Sequence, residues 1–338
     1  MSFSDGKKGR WITTDTGRHV FIEDGQSVED ALKNAFDEEY QSESDGPEFD
    51  ADPEPTIDYT EHKEKCLKSF KGIWDAPYKF IKQRFIDAFN NHKVIDEDLE
   101  NILFGMLDKK VNIQKVWIKT EYTGGGTYYN AYQRKLIMNI SDNPEHYMTT
   151  MNNLIHEMGH ALDNDGTGKY YSSTYKSKKY DVTLADMLEQ ELRGQESDMS
   201  EIVNEYNNWE HYVDLLYEDW KAGNINREFY KNERARVQSA YLNLCDTIQG
   251  TYGYKYVKEK FGNYTHADGY FDWYSEKYPE EAKQRRARNR GTEFFAEMTD
   301  DLCNDKEHLF SKYMQTIAPK SCEIYYEILE EQYGYKRK

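Results

Sequence analysis

The chain has 338 residues, and 44 basic against 62 acidic side chains leave a formal charge of −18. That acidity excludes nucleic acid as the main partner, because phosphate contacts need a basic surface. No run approaches the roughly 18 consecutive apolar residues that span a bilayer, and the start, MSFSDGKKGRWITTD, lacks the apolar stretch of a secretory signal. Length divided by about 150 residues per domain suggests about two domains. Only 38% of residues are hydrophobic, but there are 29 Tyr, whose rings bury area while the hydroxyl stays wet. The cysteines, Cys66, Cys245, Cys303 and Cys322, lie far apart without C-x-x-C spacing. They read as small buried thiols of a reducing compartment.

Two short β-prone runs, around a Thr-Gly turn in WITTDTGRHVFIEDG, open the chain, and Ser27 with Asp30 is placed to cap a helix after them. Residues 37–55 are acidic, Pro-containing and nearly free of aliphatic side chains. They cannot bury enough apolar surface to offset chain entropy and read as a linker between a segment at 1–36 and a compact domain at 56–338. From Lys65 to Lys110 apolar residues recur at helical spacing and predict three helices. The period then changes. Val111 to Ile118 is β-rich, Gly124 to Gly126 form a loop, and a second β run ends at Ile140, together a hairpin-like region. Asn143, Pro144 and Glu145 are start signals for a helix reaching about Leu162. A mostly helical stretch follows, with segments near 183–208, 209–222 and 226–249. A Gly- and Tyr-rich run covers 250–274, and two helices close the chain.

The informative pentapeptide is His156-Glu157-Met158-Gly159-His160. Positions four apart lie one above the other on a helix, so both imidazoles project from one face. That separation suits two neutral nitrogens on one Zn²⁺ at about 2.0–2.1 Å. Glu157, rotated roughly 100° from His156, is no ligand; it can take the proton of a metal-bound water as general base. A catalytic zinc needs a third protein ligand and one open position. The extended form H-E-x-x-H-x-x-G-x-x-H is absent, since Asp163 and Gly166 stand where Gly and His are required. The best source is Gly291-Thr292-Glu293-Phe294-Phe295-Ala296-Glu297. Thr292 can cap a helix on which Glu293 and Glu297 stack, with Phe294, Phe295 and Met298 packing it down. One carboxylate can ligate zinc while the other holds a ligand histidine in its tautomer.

HEMGHALD followed by TEFFAE resembles the gluzincin pattern of lethal-factor-type metallopeptidases. It is also similar to the peptidase region attached to minor head proteins of tailed phages. The resemblance implies that Glu293 is the zinc ligand and Glu297 a supporting residue. GRWITTDTGRHVFIEDGQSVEDAL and THADGYFDW add to the phage likeness. The motifs cover about a fifth of the chain, of which only the two metal motifs are specific. Where lethal-factor-type enzymes place a catalytic Tyr, this chain has Arg286, and its stretch between the motifs is longer.

A donor that stabilises the oxyanion is therefore still to be assigned, a role of order 3 kcal/mol. His266 and Tyr270 are the candidates, with Tyr264, Tyr274 and Tyr278 as alternatives. DNDG at 163–166 lacks the first aspartate of a calcium loop and reads as a polar turn, from which Asp163 can brace a metal ligand. GGG at 124–126 lacks the lysine of a phosphate loop, and KQRRARNR at 283–290 reads as local charge balance.

These observations predict an α+β, mostly α, zincin-like metallopeptidase domain. A small hairpin or sheet should lie beside the HExxH helix, its edge strand free to pair with an extended peptide. A large helical insertion at about 170–290 should precede the third-ligand helix. The expected function is zinc-dependent hydrolysis of peptide bonds, with one zinc per chain and a protein or peptide substrate. The phage resemblance implies a processing protease or effector, head proteins as partners, and a location in the bacterial cytoplasm or on the virion. The alternative is a non-enzymatic head or virion protein with a structural metal site, which would usually be closed by four protein ligands, often including Cys.

Overall fold

The computed structural model describes residues 9–13, 19–23, scattered positions from 83 to 92, 96–107, 112–119, 127–141, 147–194, 199–262, 265–271, 277–305 and 307–337. The Ser27 cap, the 37–55 linker, the helices expected between 65 and 82, the Gly124–Gly126 loop, the Asn143–Glu145 cap, Cys66, Tyr264 and Tyr274 lie outside the described residues. The chain divides into two units, Met1–Ile57 with Asp198–Tyr241, and Asp58–Ser197 with Leu242–Lys338.

In the first unit, strands β1 (Gly9–Thr13) and β2 (His19–Glu23) pair antiparallel with Gly9 opposite Glu23. Helix α5 (Met199–Ala222) and the start of α6 (Arg227–Tyr252) form an antiparallel hairpin. Its rungs are aromatic: Trp220 stacks on Tyr230 at 5.0 Å, and Tyr206 meets Tyr241 edge-on at 5.4 Å. Between them the Tyr212 hydroxyl donates to Glu233. The turn is closed by Gly223 at φ 77°, a conformation that favours glycine.

The second unit is mostly helical. It holds α1 (Glu97–Leu107), a three-stranded sheet, α2 (Tyr147–Asp163), the short α3 (Tyr171–Thr174), α4 (Leu184–Gly194), the end of α6, α7 (Tyr254–Phe261), α8 (Pro279–Asn304), α9 (Leu309–Ile317) and α10 (Pro319–Tyr333). The sheet order is β3 (Asn112–Lys119), β5 (Lys135–Ser141), β4 (Tyr128–Asn130). The expected hairpin across the Gly loop is not the pairing found. The second β run folds on itself, with β4 antiparallel to β5 and Tyr129 opposite Leu136. The Asn130 side chain starts the connection, accepting from Gln133 N–H three residues on at 2.9 Å. This puts β5 in the centre, so β3 joins it in parallel, and Leu136 and Met138 are fully buried.

The body of the unit is α2 crossed by α8. Phe294, Phe295, Ala296 and Met298 of α8 and Met158, Ala161 and Leu162 of α2 have no solvent exposure. The helix carrying Glu293 does not start at Thr292; it starts at Pro279, a residue suited to the first turn. Nor is the 283–290 run mere surface charge. Arg290 is buried, donating to the carbonyls of Ala185 and Gly250 and to Glu189, which ties α8 to α4 and α6. The Gly/Tyr-rich run is also more helical than expected, since α6 extends to Tyr252 and α7 follows. The expected 170–290 insertion is divided: Asp198–Tyr241 separates, while α3, α4, the end of α6 and α7 belong to the unit with the HExxH helix. Cys245, Cys303 and Cys322 are buried thiols. Among the described residues, no helix is long and apolar enough to cross a membrane.

Candidate functional site

Four consecutive steps along α2 bring His160 one turn beyond His156, their ring centroids 4.8 Å apart and the rings nearly perpendicular. From α8, Glu293 Oε2 lies 3.5 Å from His156 Nε2 and 3.4 Å from His160 Nε2. Glu293 is buried, and burial alone would raise its pKa. The facing imidazoles, led by His160, instead hold it well below the usual carboxylate range. These three residues form a group able to hold a metal ion.

His160 is braced from behind. Its Nδ1 is 3.1 Å from Thr292 Oγ1, and the Thr292 hydroxyl bonds in turn to Asp163. Asp163 also accepts from Ser172 N–H at 2.7 Å and Ser172 Oγ at 2.5 Å. The chain of donors runs from Nδ1–H through Thr292 to the carboxylate, which turns Nε2 toward Glu293, where its lone pair would serve a metal that displaces the proton. Burial raises Asp163 to about 6 against these hydrogen bonds. The bracing role expected of Asp163 is thus carried through Thr292, which serves as a bridge inside α8 and not as a cap.

Glu157 is nine-tenths buried, and Oε2 accepts from the backbone N–H of Tyr129 in β4 at 2.7 Å. Burial raises its pKa and Glu293 adds to the rise, while His160 and His156 oppose it. An amide of the edge strand is therefore engaged by Glu157 and is withdrawn from the peptide pairing expected there.

A second group, Asp246, His266 and Glu293, adjoins the first. His266 Nδ1 lies 2.7 Å from Asp246 Oδ1, and Nε2 lies 3.7 Å from Glu293 Oε1. Burial lowers the His266 pKa, but Asp246 and then Glu293 outweigh it and lift it to about 9. Tyr270 stacks on His266, ring centroids 4.0 Å apart, and its hydroxyl donates to Glu293 Oε1 at 2.5 Å. Gln249 fastens the loop by donating to His266 O and accepting from the N–H groups of Thr265 and His266. Asn289 donates to Tyr270 O. Glu297 faces Thr247, whose hydroxyl donates to Oε2 at 2.6 Å, and Asp246. Burial and then the Asp246 charge raise Glu297 well above the usual range, so it is the protonated partner of that pair.

The geometry brings His156, Glu157, His160, Glu293, His266 and Tyr270 together. It gives Glu297 a different neighbour from the one expected, Asp246 in place of a ring of the HExxH helix. The Tyr270 hydroxyl bonds the Glu293 carboxylate. Tyr278 is exposed just before α8. Sequence reasoning missed Asp246, Gln249, Thr292 as a bridge and the Tyr129 amide. Asp246 and Gln249 sit in the long helix α6 without a motif around them, and a backbone amide has no sequence signature.

No family model, curated protein or solved structure matches the chain.

Proposed function

We propose that the protein is a zinc-dependent peptidase of the zincin type, with His156, His160 and Glu293 as ligands and Glu157 as general base. One observation carries this reading, the spacing of Glu293 Oε2 from the two imidazole nitrogens. Two ligand atoms, each about 2.0–2.1 Å from a tetrahedral zinc, stand about 3.3–3.4 Å apart, and Glu293 Oε2 is 3.5 and 3.4 Å from the two imidazole nitrogens. Two neutral nitrogens and one carboxylate also match the donor set of catalytic zinc, which keeps a fourth position open.

Zinc held there lowers the pKa of a water and polarises a substrate carbonyl. The chain's own groups do the rest. Thr292 and Asp163 keep His160 in the tautomer that binds through Nε2. Tyr270 holds the second oxygen of Glu293. Glu157 takes a proton at its carboxylate as the carbonyl carbon is attacked and gives it to the leaving amine. His266 is tied at Nδ1 to Asp246, which favours its protonated form, and its Nε2–H donates to the carbonyl oxygen as negative charge develops. Substrates are proteins or peptides. The motif resemblance supports a phage- or prophage-associated processing protease or effector, with head proteins as partners.

A second reading has one observation on its side. His266 Nε2 faces the same carboxylate and can serve as a fourth protein ligand, which would close the site and make it the structural centre of a head or virion-associated protein. The buried carboxylate of Glu157 beside the histidines has no role in that arrangement. The deciding experiment is metal content and peptide-library cleavage for wild type and Glu157→Gln. About one zinc per chain in both, with cleavage lost only in the variant, supports the peptidase. Equal cleavage in both defeats Glu157 as base.

A further inference from the structure

Strand β4 is three residues long and, among the described residues, lies at the edge of its sheet, bonded to β5 on one side only. Backbone N–H groups of an antiparallel edge strand alternate between the partner strand and the open side. Tyr129, the middle residue, donates its N–H to Glu157 Oε2 at 2.7 Å, so this amide points to the open side. The alternation turns the amides of Tyr128 and Asn130 toward β5, where they face Ile137 and Lys135. Within β4, one backbone donor is free of the ladder, and it is aimed at a buried carboxylate on the HExxH helix.

That carboxylate hangs from a flexible side chain, whereas a general base must hold one oxygen within about 2.6–3.2 Å of the proton it takes. We propose that the backbone N–H of Tyr129 is the positioning group of Glu157: it fixes Oε2 and thereby presents Oε1 to the reacting atoms. The assignment deepens the peptidase reading and rests on it. It also accounts for the sheet's place beside α2, because an edge strand supplies a rigid amide that no side chain has to provide.

The substitution that removes this donor is Tyr129→Pro, since proline is tolerated on an edge strand where the N–H faces away from the ladder. Tyr129→Ala loses the ring as Pro does but keeps the amide, and so separates the amide from the side chain. With the zinc-loaded enzyme and a peptide substrate, kcat of Tyr129→Pro should fall about 10–100-fold below that of Tyr129→Ala. KM should agree within about twofold, as expected when an interaction serves the transition state and not substrate binding. Zinc content should be equal. A second measurement needs neither zinc nor activity. In metal-free, ¹⁵N-tyrosine-labelled protein, the Tyr129 amide resonance is identified by its absence from Tyr129→Phe. It should lie downfield in wild type and move upfield in Glu157→Ala. A resonance indifferent to Glu157→Ala overturns the assignment, and so does equal kcat in the Pro and Ala variants of an active enzyme. A wild type that cleaves no peptide defeats the peptidase reading, and this assignment with it.

Discussion

Gly159 lies against Ala296: a Cβ built on Gly159 would stand 2.8 Å from the Ala296 Cα and 3.2 Å from the Thr299 Cβ. The second variable position of the HExxH pentapeptide is thus a point of close approach between α2 and α8, the helix that brings Glu293 to the histidines. In an exposed helix interior, Gly→Ala gains about 1 kcal/mol. Gly159→Ala should instead destabilise by about 1–3 kcal/mol, the range for overpacking, and weaken metal binding by spreading the helices. Gly105 in α1, which has open space around it, is the control, and its replacement by Ala should raise Tm. Thermal unfolding and metal content check both; a stabilised, fully metallated Gly159→Ala would contradict the close crossing.

Glu293 and Glu297 sit one turn apart on the same helix but carry opposite shifts. The three imidazoles around Glu293 keep it ionised, whereas burial beside Asp246 keeps Glu297 protonated. A neutral acid offers a metal little. Glu293→Ala should therefore abolish stoichiometric metal binding. Glu297→Gln, which stays neutral and can still accept from Thr247 and donate to Asp246, should retain it. Any loss of affinity should fall within the roughly 10–100-fold range of outer-shell partners. Equilibrium dialysis against zinc separates the two, and the reverse ranking would transfer the ligand role to Glu297.

Asp246 sets both the orientation and the charge of His266. Asp246→Asn removes the charge while keeping a side chain of the same shape. It should lower kcat by about 10–100-fold with KM and metal content unchanged, and His266→Ala should lower it by about 10²–10³-fold, as for loss of an oxyanion donor. Metal affinity is the discriminating readout. If His266→Ala strips the metal, His266 is a ligand and the closed, structural site gains the argument.

The parts of this site legible in the sequence are those whose chemistry is local. His156, Glu157 and His160 are fixed relative to one another by one turn of helix, and Glu293 with Glu297 by another, so spacing alone exposes them. Asp246 has no such frame, because it matters only through the loop that lays His266 across it, and Gln249 makes that loop stay. Local reading also misplaced Gly291-Thr292, which looks like the start of a helix. Gly291 is small because a Cβ there would stand 2.9 Å from both Ala185 Cβ and Ser172 Oγ, and Thr292 serves His160. The sheet was misread for a related reason. Strand composition marks β runs, but parallel pairing of β3 with β5 depends on where the chain returns after Asn130.

Protonation of His160 and His266 gives the metal-free protein a distinctive pH response. Burial lowers the pKa of each, but the nearby carboxylates outweigh it, Glu293 foremost at His160 and Asp246 at His266, and both rise to about 9. The folded state then binds these protons more tightly than the unfolded chain, where histidine titrates near 6.5. The stabilisation is fully present below about 6.5 and is lost as pH climbs through about 9. Metal bound at His160 Nε2 competes for the same lone pair and removes that residue's share. The Tm of chelator-treated protein should therefore fall between pH 6.5 and 9 more steeply than that of the zinc-loaded form, and a His160→Gln, His266→Gln variant should flatten the chelated curve. Parallel curves with and without zinc would mean that these imidazoles do not take up protons against Glu293 and Asp246, and the electrostatic arrangement described for the site would be wrong.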